Sequence, residues 1–176
     1  MTEATSFKLT YSTMFNPPEE LHTRFAQALE KIKTGREYPL LINGQERFSA
    51  DKHHAHSPIN TDIHLATFQK GTAQDAADAV AAAKAAFPAW SRMNWEERVY
   101  LLRKLADIID ERIYEISAVM ALEVGKNRME SLGEVAETAD LIRYACAQME
   151  ANGGFIRQMN ADPLSGFLST NQSVLR

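Results

Sequence analysis

The stretch from Trp95 to Lys126 (WEERVYLLRKLADIIDERIYEISAVMALEVGK) constrains this chain more than any other, because it carries the longest apolar periodicity. Leu102, Leu105, Ile109, Ile113, Ile116 and Met120 recur at steps of three and four, while Arg103, Asp107, Asp110 and Glu111 fall elsewhere around the turn. The spacing predicts one long amphipathic helix with a core-facing stripe. Gly125 supplies a left-handed stop, and Lys126 stands beside the exposed carbonyls at the negative end of the helix dipole, so the helix is expected to end near Val124.

The flanking segments divide into a β-rich early part and a helical later part. Residues 1–15 show no clear period and read as an extended arm. Asn16, Pro17, Pro18 and Glu19 form a helix start, with Asn16 as cap and Pro17 at the first helical position; Leu21, Phe25, Ala28, Leu29 and Ile32 mark its buried face and Gly35 its end. Asn43-Gly44 between short apolar runs is a strong hairpin signal, and Asp62–Gln69 alternates as a second β segment after a Ser57-Pro58 turn. Thr72, with Asp75 three residues on, opens an alanine-rich helix that turns Ala73, Ala76, Ala77, Val80 and Ala83 toward a neighbour and is expected to break at Phe87-Pro88.

Beyond Gly125, Asn127 caps a further helix with Glu130 three residues later, and apolar residues from Met129 to Met149 keep helical spacing as far as Asn152-Gly153-Gly154. Phe155–Met159 and Ser173–Leu175 read as two short strands around a polar loop. The fold class expected is therefore α+β, with several amphipathic helices and short β-hairpins. No fixed-period repeat is present.

At 176 residues and 45% hydrophobic, the chain is in the range of one globular domain, and its formal charge of −4, with basic residues scattered among acidic ones, argues against nucleic acid as a partner. The single cysteine, Cys146, cannot form an internal disulfide, and the start MTEATSFKLTY lacks a secretory pattern, so a reducing, cytoplasmic setting is expected. No apolar run approaches the roughly 20 residues that span a bilayer, so no membrane is expected as a partner.

Each candidate chemical group has a plainer structural explanation. Lys52-His53-His54-Ala55-His56 invites a metal, yet no carboxylate or cysteine cluster nearby completes a coordination geometry, and a turn leading into Ser57-Pro58 accounts for the composition. Cys146 lies on the apolar face of its helix, where a free cysteine behaves as a small buried hydrophobe. Asn171-Gln172-Ser173 matches a glycosylation acceptor with no secretory context to use it. Glu130, Glu134 and Glu137 share one helix face; like charges at that spacing repel and ordinarily point to water, the alternative being the wall of a site. Taken alone, these residues name no reaction.

A resemblance does. Ala85-Ala86-Phe87-Pro88-Ala89-Trp90, then Arg98, Leu101-Leu102, Ala106-Asp107, Ile109, Arg112, Glu115 and the ending Glu123-Val124-Gly125-Lys126 resemble the amino-terminal portion of the NAD-dependent aldehyde dehydrogenases. Ile42-Asn43-Gly44, Ser57-Pro58 and Ile142-Arg143-Tyr144-Ala145 agree with that family's early hairpin, its next strand entry and the end of its following helix. The likeness runs over residues 38–176, roughly four fifths of the chain. Tyr11-Ser12-Thr13-Met14-Phe15-Asn16 and the Asn127-Arg128 that follows Lys126 are most similar to the branch acting on L-glutamate γ-semialdehyde, the 1-pyrroline-5-carboxylate dehydrogenases.

The resemblance implies the amino-terminal part of an α/β aldehyde dehydrogenase fold: an arm and helix over 1–37, a hairpin, strand and three helices over 38–154, and the start of an oligomerisation arm over 155–176. It implies NAD for the family, yet the family's catalytic cysteine, general-base glutamate and nucleotide loop have no counterpart in this sequence, so no catalytic, cofactor-binding or metal residue is assigned and the chain alone is expected to bind no cofactor and to be inactive. Glu137, and next to it Glu134, become candidates for a polar wall of the substrate tunnel. The expected partner is a second copy or the remainder of the enzyme; the alternative is a non-catalytic module that complements, or heterodimerises with, a catalytic chain, motivated by apolar helix faces in need of cover.

Overall fold

The computed structural model describes residues 16–158 and 172–174. The extended-arm reading of residues 1–15 and the polar loop between the two terminal strands lie outside them.

A first helix, α1 (Glu19–Lys31), precedes five short strands: β1 (Arg36–Tyr38), β2 (Leu40–Ile42), β3 (Gln45–Arg47), β4 (Lys52–His56) and β5 (His64–Gln69). Four helices follow, α2 (Ala73–Arg92), α3 (Trp95–Glu111), α4 (Ile113–Val124) and α5 (Arg128–Ala151), then a 3-10 turn at Gly153–Phe155 and the strands β6 (Ile156–Gln158) and β7 (Gln172–Val174). The fold is α+β.

The strands form three small sheets. β5 lies between β1, its parallel partner, and β4, its antiparallel one. β2 and β3 make the expected hairpin, with Ile42 opposite Gln45. Asn43 and Gly44 both have positive φ, 52° and 73°, the turn whose twist matches a two-residue hairpin. β6 and β7 pair antiparallel, Ile156 opposite Val174, within a residue of the predicted strands.

Several expectations are corrected. The Trp95–Val124 stretch is two helices, because Arg112 at φ −102°, ψ 15° ends α3 and begins α4. The two halves serve different neighbours: α3 lies along the later half of α5, where Cys146 Sγ is 3.8 Å from the Val99 carbonyl, while α4 lies between α1 and the start of α5, where Ser117 Oγ donates to the Ser131 carbonyl at 3.2 Å. Arg112 also clamps Glu115 bidentately at 2.8 and 2.9 Å. No glycine or proline marks the break. Helix α1 starts later than expected, at Glu19, with Pro18 as its cap and no side-chain cap bond. Pro17 precedes a proline and is thereby driven out of the helical region, so it cannot be the first helical residue. The helix also ends at Lys31, before Gly35.

Pro88 does not break α2, which runs through it to Arg92. The proline removes one donor, a tolerable loss on a helix whose residues around Pro88 are exposed to solvent. The alanines expected to face a neighbour do not: α2 buries no residue at all. Lys52–His56, read as a turn, is the edge strand β4.

The main core joins three helices: Leu21 and Phe25 of α1, Ala118 and Ala121 of α4, and Leu132 of α5, with Ile113, Tyr114 and Met129 packed alongside. A second contact line joins α3 to α5 through Val99, Ala106, Ala139 and Cys146, all buried. Its margins are ionic, with Arg103 on Glu150 at 2.5 Å and Arg143 on Asp107 and Asp110 at 2.8 and 2.7 Å. The face of α3 that meets α5 is thus its small and charged face. Leu102 and Leu105 of the predicted stripe are 38% and 45% exposed, and Leu101 and Ile108 stand out beside them. On α3 the stripe thus turns Leu102 and Leu105 outward, whereas Ile109, Ile113, Ile116 and Met120 are half-buried and Ile113 packs on the main core.

Candidate functional site

The helix expected to carry a tunnel wall, α5, is started by the capping box read from its sequence. Asn127 Oδ1 accepts from the Glu130 amide at 3.0 Å, and the Glu130 carboxylate accepts from the Asn127 amide at 3.3 Å. Glu130 is thereby committed to the helix end. Glu134, one turn on, forms an ion pair with Lys126, and its backbone carbonyl accepts from Thr138 Oγ1 at 2.8 Å. Glu137 is exposed on the same outer face. The three glutamates are therefore not one acidic patch: a cap and an ion pair occupy two of them, leaving Glu137 as the carboxylate turned outward.

Cys146, 1% exposed, is held on the inner face of α5. A thiol there has no approach for an aldehyde. Among the described residues no group of three histidine, cysteine or carboxylate side chains is placed to hold a metal ion, and no helix is long and apolar enough to cross a membrane.

A helix N-terminus with free amides is a favourable seat for a dinucleotide's pyrophosphate. The amino-terminal ends of α2 and α5 are closed by capping boxes whose third residues, Asp75 and Glu130, are acidic, and α1, α3 and α4 carry Glu19 and Glu20, Glu96 and Glu97, and Glu115 in their first turns. Negative charge stands at all five. None of the five starts is free of a carboxylate in its first turn.

The sequence did not reveal an apolar cavity of about 170 Å³ between the sheet and the helices, lined by Ile32, Tyr38, Phe68, Val119 and Leu122 with Glu123 at its edge. Tyr38 and Phe68 stack across its floor with centroids 5.6 Å apart. Its walls come from the segment just after α1, from three strands and from α4, so no local motif announces it. The 57–59 turn closes against the same helix: Ser57 Oγ donates to the Leu122 carbonyl at 2.6 Å, and Gly125, at φ +78°, lies close enough to Pro58 that a Cβ there would sit 3.2 Å from its ring.

Electrostatics outside the helix core is concentrated at two surface clusters. Arg47 of β3 bridges Asp75 and Asp78 of α2 at 3.1 and 2.6 Å. The Asp75 carboxyl is held below its usual range first by the Thr72 cap bonds and then by Arg47, and that of Asp78 chiefly by Arg47. On β1, Glu37 accepts from Lys52 Nζ at 2.6 Å and from Gln69 Nε2 at 2.9 Å, which lowers its carboxyl in the same way. None of these is a poised acid or base. Each is tied to a structural partner.

Residues 46–171 match the model of the aldehyde dehydrogenase family. The chain belongs to that family. It is 39% identical over 127 residues to a 1-pyrroline-5-carboxylate dehydrogenase of Staphylococcus saprophyticus, a match covering 71% of this chain and 25% of the relative. The fold superposes on a 1-pyrroline-5-carboxylate dehydrogenase from Thermus with bound NAD, at a TM-score of 0.77 and 27% identity, over 91% of this chain and 30% of that one. An NAD-dependent aldehyde dehydrogenase from Sinorhizobium meliloti is similar at a TM-score of 0.62 and 35% identity, over 68% of this chain and 24% of that one. The chain thus spans about a quarter of the length of the curated relatives it matches.

Proposed function

We propose that this chain supplies the amino-terminal part of an NAD-dependent dehydrogenase oxidising L-glutamate γ-semialdehyde to glutamate, and that the 176 residues catalyse nothing unaided. The observation that carries the reading is the turned-out apolar face of α3 beside the wholly unburied α2. A helix packing through small buried residues flanked by ion pairs while its leucines face outward is arranged to receive a second body. The relatives' names supply the substrate class. The lone cysteine supports dependence on another polypeptide segment, because it is buried and the chemistry needs an accessible thiolate.

In this reading residues 1–37 are a leader and helix, 38–154 the aldehyde-dehydrogenase-like region, and 155–176 the start of an oligomerisation arm whose β6–β7 pair serves a homo-oligomer in a reducing, cytoplasmic setting. Glu137 forms the polar wall of the substrate tunnel; Glu134, already paired with Lys126, orients that turn of α5. The same outward face also favours a second reading, in which the chain is a non-catalytic module seated on a separate catalytic chain.

The test is NADH formation. The purified chain with NAD and γ-semialdehyde forms none. Mixed with a polypeptide comprising the part of the Staphylococcus saprophyticus relative outside the match, it restores turnover, and Glu137→Ala raises KM more than it lowers kcat. NADH from the chain alone overturns the dependence on a second segment. Failure of the mixture to associate overturns the seating role of α3.

A further inference from the structure

Arg98 of α3 has a buried Nε with no hydrogen-bond acceptor among the described residues. Withdrawing a donor from water without giving it a partner is costly, and native structures seldom do it. The local sequence offers no remedy. A helical side chain meets the residues three and four positions away, and for Arg98 these are Asn94, Trp95, Leu101 and Leu102, none of them a carboxylate.

Two other arginines of the same stretch show what such a group takes. Arg103 holds Glu150 through Nε and Nη2 at 3.0 and 2.5 Å, and Arg112 holds Glu115 through the same two atoms at 2.9 and 2.8 Å. In each, one edge of the guanidinium meets both oxygens of one carboxylate, the forked geometry that makes this pairing strong and directional. Arg98 has the same edge, and its Nε is already out of water.

Its place ties it to the outward face of α3. Leu102, Leu105 and Ile109 follow Arg98 at four, seven and eleven positions, so the four lie along one line of the helix, with Leu101 beside them. Arg98 stands at the amino-terminal end of that line, the direction in which helical side chains lean. A body that covers Leu101, Leu102 and Leu105 therefore passes over Arg98. That body can bring the acceptor the chain lacks.

The chain spans about a quarter of the length of the curated relatives it matches, so most of such an enzyme lies outside the match and is the body available to cover α3. Resting on the reading that this face seats the remainder of the enzyme, we propose that Arg98 is the polar anchor of the seat: the segment laid over Leu101, Leu102 and Leu105 presents an aspartate or glutamate carboxylate to Arg98 Nε. The leucines supply buried area, which is indifferent to register, and the forked pair fixes the register. An anchor of this kind acts with opposite signs in the two states. In the chain alone the unpartnered donor is a liability, so Arg98→Met, which keeps the packing of the stem, does not destabilise it; in the complex the same change strands the partner's carboxylate.

Two measurements test it: urea unfolding of the 176-residue chain alone, and its binding to a polypeptide comprising the part of the Staphylococcus saprophyticus relative outside the match, followed by sedimentation. Arg98→Met holds or raises the urea midpoint of the chain alone and raises Kd for the complementary polypeptide about tenfold or more. Arg98→Gln, a neutral donor, weakens binding as much, because the carboxylate needs the charge. A lowered urea midpoint for Arg98→Met makes the arginine structural and overturns the anchor. Undiminished binding by Arg98→Met overturns the anchor and leaves the seat standing. Binding restored by Arg98→Gln assigns the acceptor to a main-chain carbonyl and overturns the carboxylate. Self-association of the natural chain that Arg98→Met abolishes assigns the acceptor to a second copy, which overturns it as well. No complex with the natural chain removes the seat itself, and the anchor with it.

Discussion

Gly154→Ala is the sharpest probe of how α5 closes back on α3. Gly154 is buried just past the end of α5, at φ +70°, and a Cβ there would stand 2.6 Å from both Cγ and Nε1 of Trp95, closer still to Cδ1. Two costs combine. The left-handed conformation costs a non-glycine residue about 1–2 kcal/mol, and pressing a methyl into an indole at the start of a packed helix costs about 1–3 kcal/mol more. The expected loss is about 2–5 kcal/mol, a large part of the stability of an ordinary domain. Gly153→Ala is the control, because Gly153 also has positive φ, +56°, but nothing lies within 4 Å of its added Cβ. It should lose only the backbone part, about 1–2 kcal/mol. Urea unfolding followed by indole fluorescence measures both, and Trp95→Ala combined with Gly154→Ala should recover the steric share, a double-mutant coupling of about 1–3 kcal/mol. Equal losses for the two glycine variants, or no coupling to Trp95, would refute the reasoning.

Other outcomes follow from the same packing. Ser57→Ala leaves the Leu122 carbonyl and the Ile59 amide without their hydroxyl partner and should cost about 1–3 kcal/mol by the same urea measurement. Leu105→Glu, on the turned-out face, should change stability by less than about 0.5 kcal/mol, whereas Ala106→Leu, at a fully buried contact with α5, should cost about 1–3 kcal/mol. Arg47→Met should release α2 from the hairpin, seen as faster proteolysis within Ala73–Arg92. Asp75, Asp78, Glu115 and Glu150 all have lowered carboxyls, each tied to an arginine partner, with the Thr72 cap foremost for Asp75. Their contribution is present above the unfolded carboxylate range near pH 4 and is lost as pH falls through their lower folded values, so Glu150→Gln should flatten the acid limb of a stability-versus-pH curve.

What was legible in the sequence was local. Asn43-Gly44 dictated its turn, Thr72 with Asp75 and Asn127 with Glu130 their capping boxes, Gly125 its left-handed stop, and the spacing of Leu132, Val135, Ala139 and Cys146 the inner face of α5. Each depends on residues within a turn or two of one another. What was not legible depended on distant neighbours. The outward direction of the Leu102 and Leu105 stripe could not be seen, because apolar periodicity marks a face without saying which body covers it. The break at Arg112 carries no glycine or proline signal, and Pro88 does not break α2 because one missing donor on a solvated helix is tolerable. The histidine run became a strand because its partner, β5, begins eight residues later and supplies Thr67. In the candidate wall, the spacing of Glu130, Glu134 and Glu137 showed a shared face; only the structure separated the cap and the ion pair from the outward Glu137.

The measurement closest to the central claim is sedimentation equilibrium of the chain with the complementary part of the Staphylococcus saprophyticus relative, for the natural sequence and for Leu102→Glu with Leu105→Glu. If the outward face of α3 seats on the remainder of the enzyme, the natural chain forms a one-to-one complex and the doubly substituted chain, equally well folded, does not. A complex that forms equally well with both would contradict the assignment of that face, and no complex with either would contradict the account of the chain as a part that needs its remainder.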